Sequence, residues 1–439
     1  MLKTLVGAFK NKDIRKKILY TLMILVIVRV GSLLPIPGVD TEYFSSLLSG
    51  INTCDLSYLS AFTGGSFERM SLFALSITPY ITSSIIMQLL AIAIPKLEEM
   101  QKEGEDGRKK IAAITRYVTI GLALIESIAM AVGFGRSGLI KGYQGFSTLH
   151  YIVSIIVVVA ALTAGSAMLM WLGERITENG VGNGISIVLL INIISGMPSD
   201  FATLYSTFVA PRTIAKGVLA AAIIIAILVV MVVLVCFLQD GERRIPVQYS
   251  QKVSGRKTFG GQSTNIPLKV NTAGVMPVIF ASSLMQFPVI IAQLFGKSYE
   301  WTRYLSSSYW CRVSAPKYSI GLILYVVLLI IFAYFYTSIT FNPIEVADNL
   351  KKAGGVIPGI TPGKSTSDYL NNILNYIVFV GAVGLLIIAL IPIMCTGFFN
   401  ASVSFGGTSV IIIVGVVLET LKQIESQMVN RYYKGFLSE

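Results

Sequence analysis

Residues 214–237 read IAKGVLAAAIIIAILVVMVVLVCF, and Lys216 is the single charged residue among them. Such a run can cross a lipid bilayer as an α-helix, which needs about 20 predominantly apolar residues. The composition of the chain leads to the same conclusion, because 54% of its 439 residues are hydrophobic and only 13% are charged. An ordinary globular protein has about 25% charged residues. The sequence therefore predicts a polytopic membrane protein.

Apolar segments of this kind recur along the whole chain. We predict ten spans, at residues 18–34, 72–94, 111–134, 151–172, 184–208, 214–237, 273–295, 320–338, 372–392 and 408–424. The fifth and the tenth are weak or short, the second contains Pro79, and the seventh contains Pro277 and Pro288. Interrupted spans are tolerated where the backbone is buried in protein or lines a cavity. We therefore expect these four helices to form the wall of a cavity.

The distribution of basic residues predicts the orientation of an all-α, ten-helix fold. With ten spans both termini share one side, which holds 25 of the 35 Lys and Arg residues against 9 on the opposite side. Because positively charged loops stay in the cytoplasm, we expect both termini there. Five spans in each half would allow two pseudo-symmetric, inverted halves with a site at their interface. We predict a cytoplasmic N-terminus at 1–17, a first half at 18–208, a second half at 209–424 and a cytoplasmic tail at 425–439.

The residue types present argue against metal and nucleotide chemistry. The four cysteines lie far apart in the sequence, and His150 is the single histidine, so zinc and haem signatures are missing. The tripeptide GKS occurs twice, but a P-loop requires a glycine where this chain has Ile291 and Pro358. We therefore expect no metal, no cofactor and no enzymatic activity.

The residues alone leave three kinds of membrane protein open. An ion-coupled transporter usually carries ionisable residues at mid-membrane, and the candidates here are Arg29, Glu126 and Glu419, each in a different span. The expected cavity helices offer mainly Ile, Leu, Ser and Thr, which suits a hydrophobic gate better than a solute site. A gated channel is favoured, and a secondary transporter of small solutes and a non-conducting membrane scaffold remain alternatives.

A short segment between the first two spans, residues 56–69, reads LSYLSAFTGGSFER. Its spacing of Leu56, Leu59 and Phe62 is compatible with one face of a short helix, which Gly64 and Gly65 would end. This helix could be a re-entrant stopper in an outward-facing funnel, or an ordinary surface helix. Taken by themselves, the residues favour the surface helix.

Two long loops, residues 239–271 and 341–369, lie on the side of the termini. Loops of about 30 residues exceed the usual connection length and are commonly functional. Their basic residues could contact anionic lipid, an RNA surface or an acidic protein, or could serve mainly as an orientation signal. The candidate contact residues are Arg243, Arg244, Arg256, Lys257, Lys351 and Lys352.

Several long motifs together resemble the SecY/Sec61 alpha family, whose bacterial members are channel subunits of the Sec protein translocase. The motifs occur in order along the chain as GSLLPIPGVD (31–40), TGGSFERMSLFALSITPYITSSIIMQLL (63–90), ERITENGVGNGISI (174–187), QSTNIPLKVNTAGVMPVIFASS (262–283), FNPIEVADNLKKAGGVIPGI (341–360) and FGGTSVII (405–412). The resemblance covers essentially the whole chain. It departs at Thr361, where family members commonly carry arginine.

The resemblance implies a pore with three parts. A ring of aliphatic side chains would seal its waist, formed by Ile77, Ile81, Ile185, Leu189, Ile279 and Ile412. The segment 56–69 would be a plug, with Tyr58, Leu59, Phe62, Gly64, Gly65 and Arg69 as its marker residues. A lateral gate toward lipid would open between the second and seventh spans, with Gln88, Ser282 and Ser283 as candidate polar contacts.

The resemblance also implies partners and a location. The basic loops would bind the ribosome or the motor ATPase SecA, which supplies the energy. Small SecE-like and SecG-like membrane subunits would lie at the periphery. Polypeptides carrying signal peptides would be the substrates, and their apolar segments would pass through the lateral gate into membrane lipid. The expected location is the bacterial inner (plasma) membrane.

Overall fold

The computed structural model describes residues 9–41, 44, 63–135, 148–210, 214–249, 252–254, 257–259, 263–294, 300–306, 309–311, 316–399 and 407–435. Most of this part of the chain is helical. The helices are α1 (Lys12–Leu33), α2 (Thr78–Ala93), α3 (Pro95–Lys102), α4 (Glu105–Gly135), α5 (Thr148–Asn179), α6 (Gly184–Leu204), α7 (Ile214–Asp240), α8 (Met276–Leu294), α9 (Glu300–Leu305), α10 (Ile320–Thr340), α11 (Pro343–Lys352), α12 (Lys364–Phe399) and α13 (Gly407–Gly435). The strands are β1 (Glu242–Tyr249), β2 (Lys252–Ser254), β3 (Lys257–Phe259), β4 (Ser263–Lys269) and β5 (Gly355–Val356).

A helix occupies each of the ten predicted span positions. Within the described residues, six helical segments are long and apolar enough to cross a membrane, and α2 with α3 makes a seventh if this pair, bent by 105°, counts as one span. Helix α8 is a shorter apolar helix. The prediction of a multi-pass helical membrane protein is confirmed, and the number of ten spans stays a prediction.

The second predicted span was wrong at its start. We predicted it from residue 72, but α2 begins at Thr78, and the residues before it form turns. Pro79 lies in the first turn of α2, where its missing N–H costs nothing because the first helical N–H groups have no intrahelical partner. The backbone before it cannot continue the helix, since Ser76 adopts a left-handed conformation with φ 52°.

The glycine-rich segment 176–186 forms a tight turn that lets α5 and α6 pack closely. Gly182 has φ 80°, and a Cβ at Gly184 would overlap the carbonyl oxygen of Gly173. The side chain of Asn183 caps α6 by accepting from the N–H groups of Ile185 and Ser186. This turn fixes where the first residues of α6 lie.

The loops 239–271 and 341–369 fold into one small unit that the sequence did not predict. Strand β1 is central, antiparallel to β4 on one side and to the short β5 on the other, with Ile245 opposite Ile266 and Gln248 opposite Val356. The unit, called here the sheet unit, has a core of its own, made of Ile245, Val247, Leu268, Leu350, Ile357, Leu370, Ile373 and Ile377. The two loops are therefore structurally joined.

At the end of α8 that lies away from the sheet unit, the chain continues into residues 300–306, 309–311 and 316–319. These residues cover the start of α10. The indole of Trp310 donates to the carbonyl of Tyr304 at 2.8 Å, and the rings of Tyr304 and Tyr318 meet edge to face at 5.0 Å. Cys311 follows in a left-handed conformation with φ 58°. Its N–H donates to the hydroxyl of Ser319 at 3.3 Å, which closes this cap.

Candidate functional site

The site is built around residues 63–77, called here the connector, which lead from the predicted plug into α2. The N–H of Leu72 donates to the carbonyl of Leu34 at 2.9 Å, and the N–H of Ile36 donates to the carbonyl of Met70 at 3.1 Å. Small residues on the neighbouring helices allow this close approach. A Cβ at Gly31 of α1 would overlap the ring of Phe73. The connector is therefore held between transmembrane helices rather than lying on the surface.

The connector carries two residues in an unfavourable backbone conformation. Met70 and Ser76 have φ values of 42° and 52°, and both are buried. A non-glycine residue in this region costs about 1–3 kcal/mol and persists only where its surroundings enforce it. At Ser76 two helices do so: Asn192 Nδ2 of α6 donates to its hydroxyl at 3.1 Å, and Ser166 Oγ of α5 donates to its carbonyl at 3.5 Å.

All six predicted ring residues belong to one hydrophobic cluster. Ile77 lies immediately before α2, Ile81 within it, Ile185 and Leu189 on α6, Ile279 on α8 and Ile412 on α13. Four of them are at most 5% exposed, and Ile81 and Ile185 are half-buried against the same cluster. The structure thus brings together side chains that are as much as 335 positions apart in the sequence, from Ile77 to Ile412.

This cluster can act as a hydrophobic seal. Its buried members among the described residues are aliphatic apart from Phe73 and Phe280. A narrow constriction lined by aliphatic groups excludes ions by dewetting. Unlike a ring of charges or carbonyl groups, it offers no fixed ligand positions, so it suits a gate rather than a selective binding site.

The predicted plug is described only at its C-terminal end. Tyr58, Leu59 and Phe62 lie outside the described residues, whereas Gly64 and Gly65 have φ values of 62° and 79° and form turns. Gly64 fits tightly, because a Cβ there would come within 2.6 Å of Ser195 Oγ and 3.0 Å of Arg29 Nη1. Arg69 is exposed. The chain therefore enters the connector at a fixed point between α1 and α6.

The three predicted gate residues are described, and the structure does not join them by a hydrogen bond. Gln88 Nε2 lies 3.5 Å from Ser84 Oγ on its own helix. Ser282 is buried and donates to the carbonyl of Val278 at 2.7 Å, and Ser283 is half-buried. Helix α8 packs mainly on α10 and also touches α4. Their role at a gate stays a prediction.

The basic residues of the two loops lie on the sheet unit. Arg243 and Arg244 are exposed on β1, and Arg244 forms an ion pair of 2.6 Å with Glu242. Lys351 and Lys352 are exposed in the last turn of α11, where positive charge is favoured by the helix dipole. Arg256 lies outside the described residues, as does the side chain of Lys257, which begins β3.

Sequence reasoning missed two buried polar residues that neighbour predicted ring residues in the chain. Asn192 is 3% exposed and Ser76 is 1% exposed, and they contact each other across 116 positions. The available signal was an amide inside the apolar run of α6. This signal did not identify the hydrogen-bond partner of the amide, because no local periodicity predicts the turn that brings Ser76 to Asn192.

Comparisons with known proteins identify the family. The model of the SecY family matches residues 71–421. Protein translocase subunit SecY of Streptomyces galbus is 44% identical over 446 residues, and that of Bacillus subtilis is 42% identical over 445 residues, each alignment covering all of both chains.

Solved structures are similar in fold. A protein-conducting channel matches 94% of this chain and 93% of its own length, with a TM-score of 0.61 and 18% identity. A SecY protein, described as having a plug domain that stabilises the closed channel, matches 94% of this chain and 92% of its own length, with a TM-score of 0.63 and 18% identity. Sec61 from a canine ribosome–channel complex matches 94% and 93%, with a TM-score of 0.60 and 18% identity. The membrane-embedded helical fold, the matching family model and the full-length relatives together show that the chain belongs to the SecY family.

Proposed function

We propose that this chain is the channel subunit of a protein translocase, which conducts unfolded secretory polypeptides across the membrane and releases apolar segments sideways into lipid. The observation that carries this proposal is that one hydrophobic cluster contains all of Ile77, Ile81, Ile185, Leu189, Ile279 and Ile412. The chain is not an enzyme, so the energy for transport comes from a partner.

The ring residues come from both predicted halves of the chain. Ile77, Ile81, Ile185 and Leu189 precede residue 209, whereas Ile279 and Ile412 follow it. When the halves 18–208 and 209–424 separate, the aliphatic contacts part and leave a flexible, non-polar collar. Such a collar tolerates any passing side chain, since dispersion contacts are weak and non-directional. Closure then restores the barrier to ions.

Two further parts complete the proposed mechanism. The segment 56–69 is a plug on the outer side of the ring, held at Gly64 by the contacts with α1 and α6. A lateral gate lies between α2 and α8, with Gln88, Ser282 and Ser283 as polar contacts. We place the protein in the bacterial plasma membrane with both termini in the cytoplasm, in accord with the excess of basic residues on that side.

The sheet unit is the proposed docking surface for the partners that deliver the polypeptide. The related Sec61 structure comes from a ribosome–channel complex. Exposed Arg243, Lys351 and Lys352 present positive charge suited to ribosomal RNA or to an acidic face of the motor SecA. SecE-like and SecG-like subunits bind at the periphery, and signal peptides enter through the lateral gate.

Ion conductance in planar bilayers tests this proposal. The chain is purified with its small membrane partners, and Ile77, Ile81 and Ile185 are replaced together by glycine. The leak through the closed channel should rise several-fold, because the seal loses three aliphatic side chains. The matched control replaces Ile223, Ile225 and Val229, which are exposed on α7, by glycine and should leave the leak unchanged.

The same experiment separates the alternatives. Equal leak in the ring variant and the control would contradict the proposed ring. Absence of any conductance, even with a translocating polypeptide, would favour a scaffold. Uptake of a small solute driven by a proton or sodium gradient in liposomes would favour a secondary transporter instead.

A further inference from the structure

Asn192 is a buried amide within the otherwise apolar start of α6. It is 3% exposed and lies one turn after the ring residue Leu189. Burying an amide is unfavourable unless it forms hydrogen bonds. Its Nδ2 donates to Ser76 Oγ at 3.1 Å, so the partner of this amide is a residue of the connector.

Ser76 is the residue through which the connector reaches the ring. It directly precedes Ile77, which caps α2 and is 1% exposed in the ring cluster. The φ value of 52° at Ser76 turns the chain from the connector into α2. If Ser76 relaxed to an ordinary negative φ, the direction of the following residue would change. The position of Ile77 therefore depends on what holds Ser76.

One turn further along α6, Ser195 lies against the other end of the connector. Its hydroxyl donates to the carbonyl of Asn192 at 2.7 Å and is 3.4 Å from the carbonyl oxygen of Gly64. Because a hydroxyl has one hydrogen, the shorter contact to Asn192 is the main bond. The same turn of α6 thus contacts both ends of the connector, and the Asn192–Ser76 bond is its stronger tie.

We propose that Asn192 is a positioning residue for the pore: its amide holds Ser76 in the left-handed conformation and thereby keeps Ile77 in the closed ring. This inference rests on the proposed ring. It adds to the aliphatic side chains of the ring the polar group that holds one of them, Ile77, in position. The Asn192–Ser76 bond stabilises the closed state, so its loss shifts the channel toward the open state without removing any ring side chain.

The test measures closed-channel leak in planar bilayers, together with the melting temperature of the complex. The variants are Asn192→Leu, Ser76→Ala and the double variant. Loss of one buried hydrogen bond shifts a two-state equilibrium about fivefold, so each single variant should raise the leak about fivefold while the melting temperature falls by only a few degrees. The double variant should leak less than the product of the two single effects, because both remove the Asn192–Ser76 bond.

Thr203→Val is the matched control. Thr203 lies on the same helix, is half-buried, and donates only along the helix to Ser199 at 3.0 Å, so this variant should keep the wild-type leak. Should Asn192→Leu fail to assemble, Asn192→Ser removes the amide without added bulk and takes its place.

The outcomes are distinct. A leak that stays at the wild-type level in a folded Asn192 variant overturns the inference, and so do single effects that multiply in the double variant. If the glycine variant of the ring leaks while the Asn192 variant does not, only the role of Asn192 fails. If neither leaks, the proposed ring itself fails.

Discussion

Gly165 of α5 lies against the carbonyl oxygen of Leu72 so closely that a side-chain carbon at position 165 would overlap that oxygen. The next residue, Ser166, donates to Ser76. Helix α5 therefore packs closely against the connector at Gly165, which has no side chain, and forms a hydrogen bond with it through the hydroxyl of Ser166. This contact fixes the distance between α5 and the chain that leads into α2.

Gly165→Ala should destabilise the protein. The added methyl group must displace backbone, and overpacking of this kind costs about 1–3 kcal/mol. Gly121→Ala is the control, since no atom of the described residues lies within 4 Å of a Cβ at Gly121. An exposed helical glycine replaced by alanine gains about 0.5–1 kcal/mol. Thermal unfolding of the detergent-solubilised complex checks both, and equal melting temperatures for the two variants would contradict the packing described.

Arg243→Glu should weaken ribosome binding more than Arg244→Glu does. Arg244 already pairs with Glu242 at 2.6 Å, so part of its charge is compensated before any partner arrives. Arg243 presents its charge on the same exposed strand. Co-sedimentation with ribosomes at several salt concentrations measures the effect, and the salt dependence should also become less steep in the Arg243 variant. Equal losses in the two variants would argue against phosphate contact at Arg243.

Ile245→Ala should loosen the sheet unit and leave the closed pore intact. Ile245 is 2% exposed in the core of the sheet unit, and truncating a buried isoleucine to alanine costs about 2–5 kcal/mol. Hydrogen exchange of β1 and β4 should accelerate, while the ion leak stays at the wild-type level. Gln248→Ala, at an exposed position of the same strand, is the control. A rise in leak would show that the sheet unit and the ring are not separable.

Alkylation of Cys311 should be slow at neutral pH. Burial raises the pKa of the Cys311 thiol above its ordinary value of 9.0, so the reactive thiolate is scarcer in the folded protein than in the unfolded one. The contribution of the neutral thiol to the free energy of unfolding is fully present below the pKa of the unfolded protein. It is lost as the pH rises through the pKa of the folded protein. Iodoacetamide labelling, in a variant with the other cysteines replaced by serine, should lag behind labelling of the urea-unfolded protein at neutral pH, and the lag should persist at pH 9.0, the ordinary pKa of the thiol. Equal rates at neutral pH would contradict this placement.

The helices could be predicted from the sequence because long apolar runs report directly on burial in lipid. The start of α2 could not, since the apolar residues 72–77 look like helix and only their contacts with Gly31 and Gly165 show the turns. Strands β1 and β4 were missed for a similar reason. Ile245 and Val247 alternate with exposed residues over too few positions to stand out from a basic loop.

The ring was assigned by resemblance to motifs, and composition alone would not have selected it. Ile77 and Ile412 are ordinary isoleucines in a chain rich in them, and what distinguishes them is that the fold places them in one buried cluster. The Asn192–Ser76 bond illustrates the remaining gap. Each residue is visible in the sequence, but their pairing depends on how α6 packs beside the connector.

Strand β1 is hydrogen-bonded on both sides, and this has a mechanical consequence. Strand β4 runs on through Asn271, whose side chain donates to the carbonyl of Gly274 at 2.9 Å, into α8, and the loop that carries β5 runs on into α12. A force applied to the sheet unit is therefore transmitted to two membrane helices, α8 and α12, rather than to a single connecting loop. A force applied at the proposed docking surface would reach both helices together.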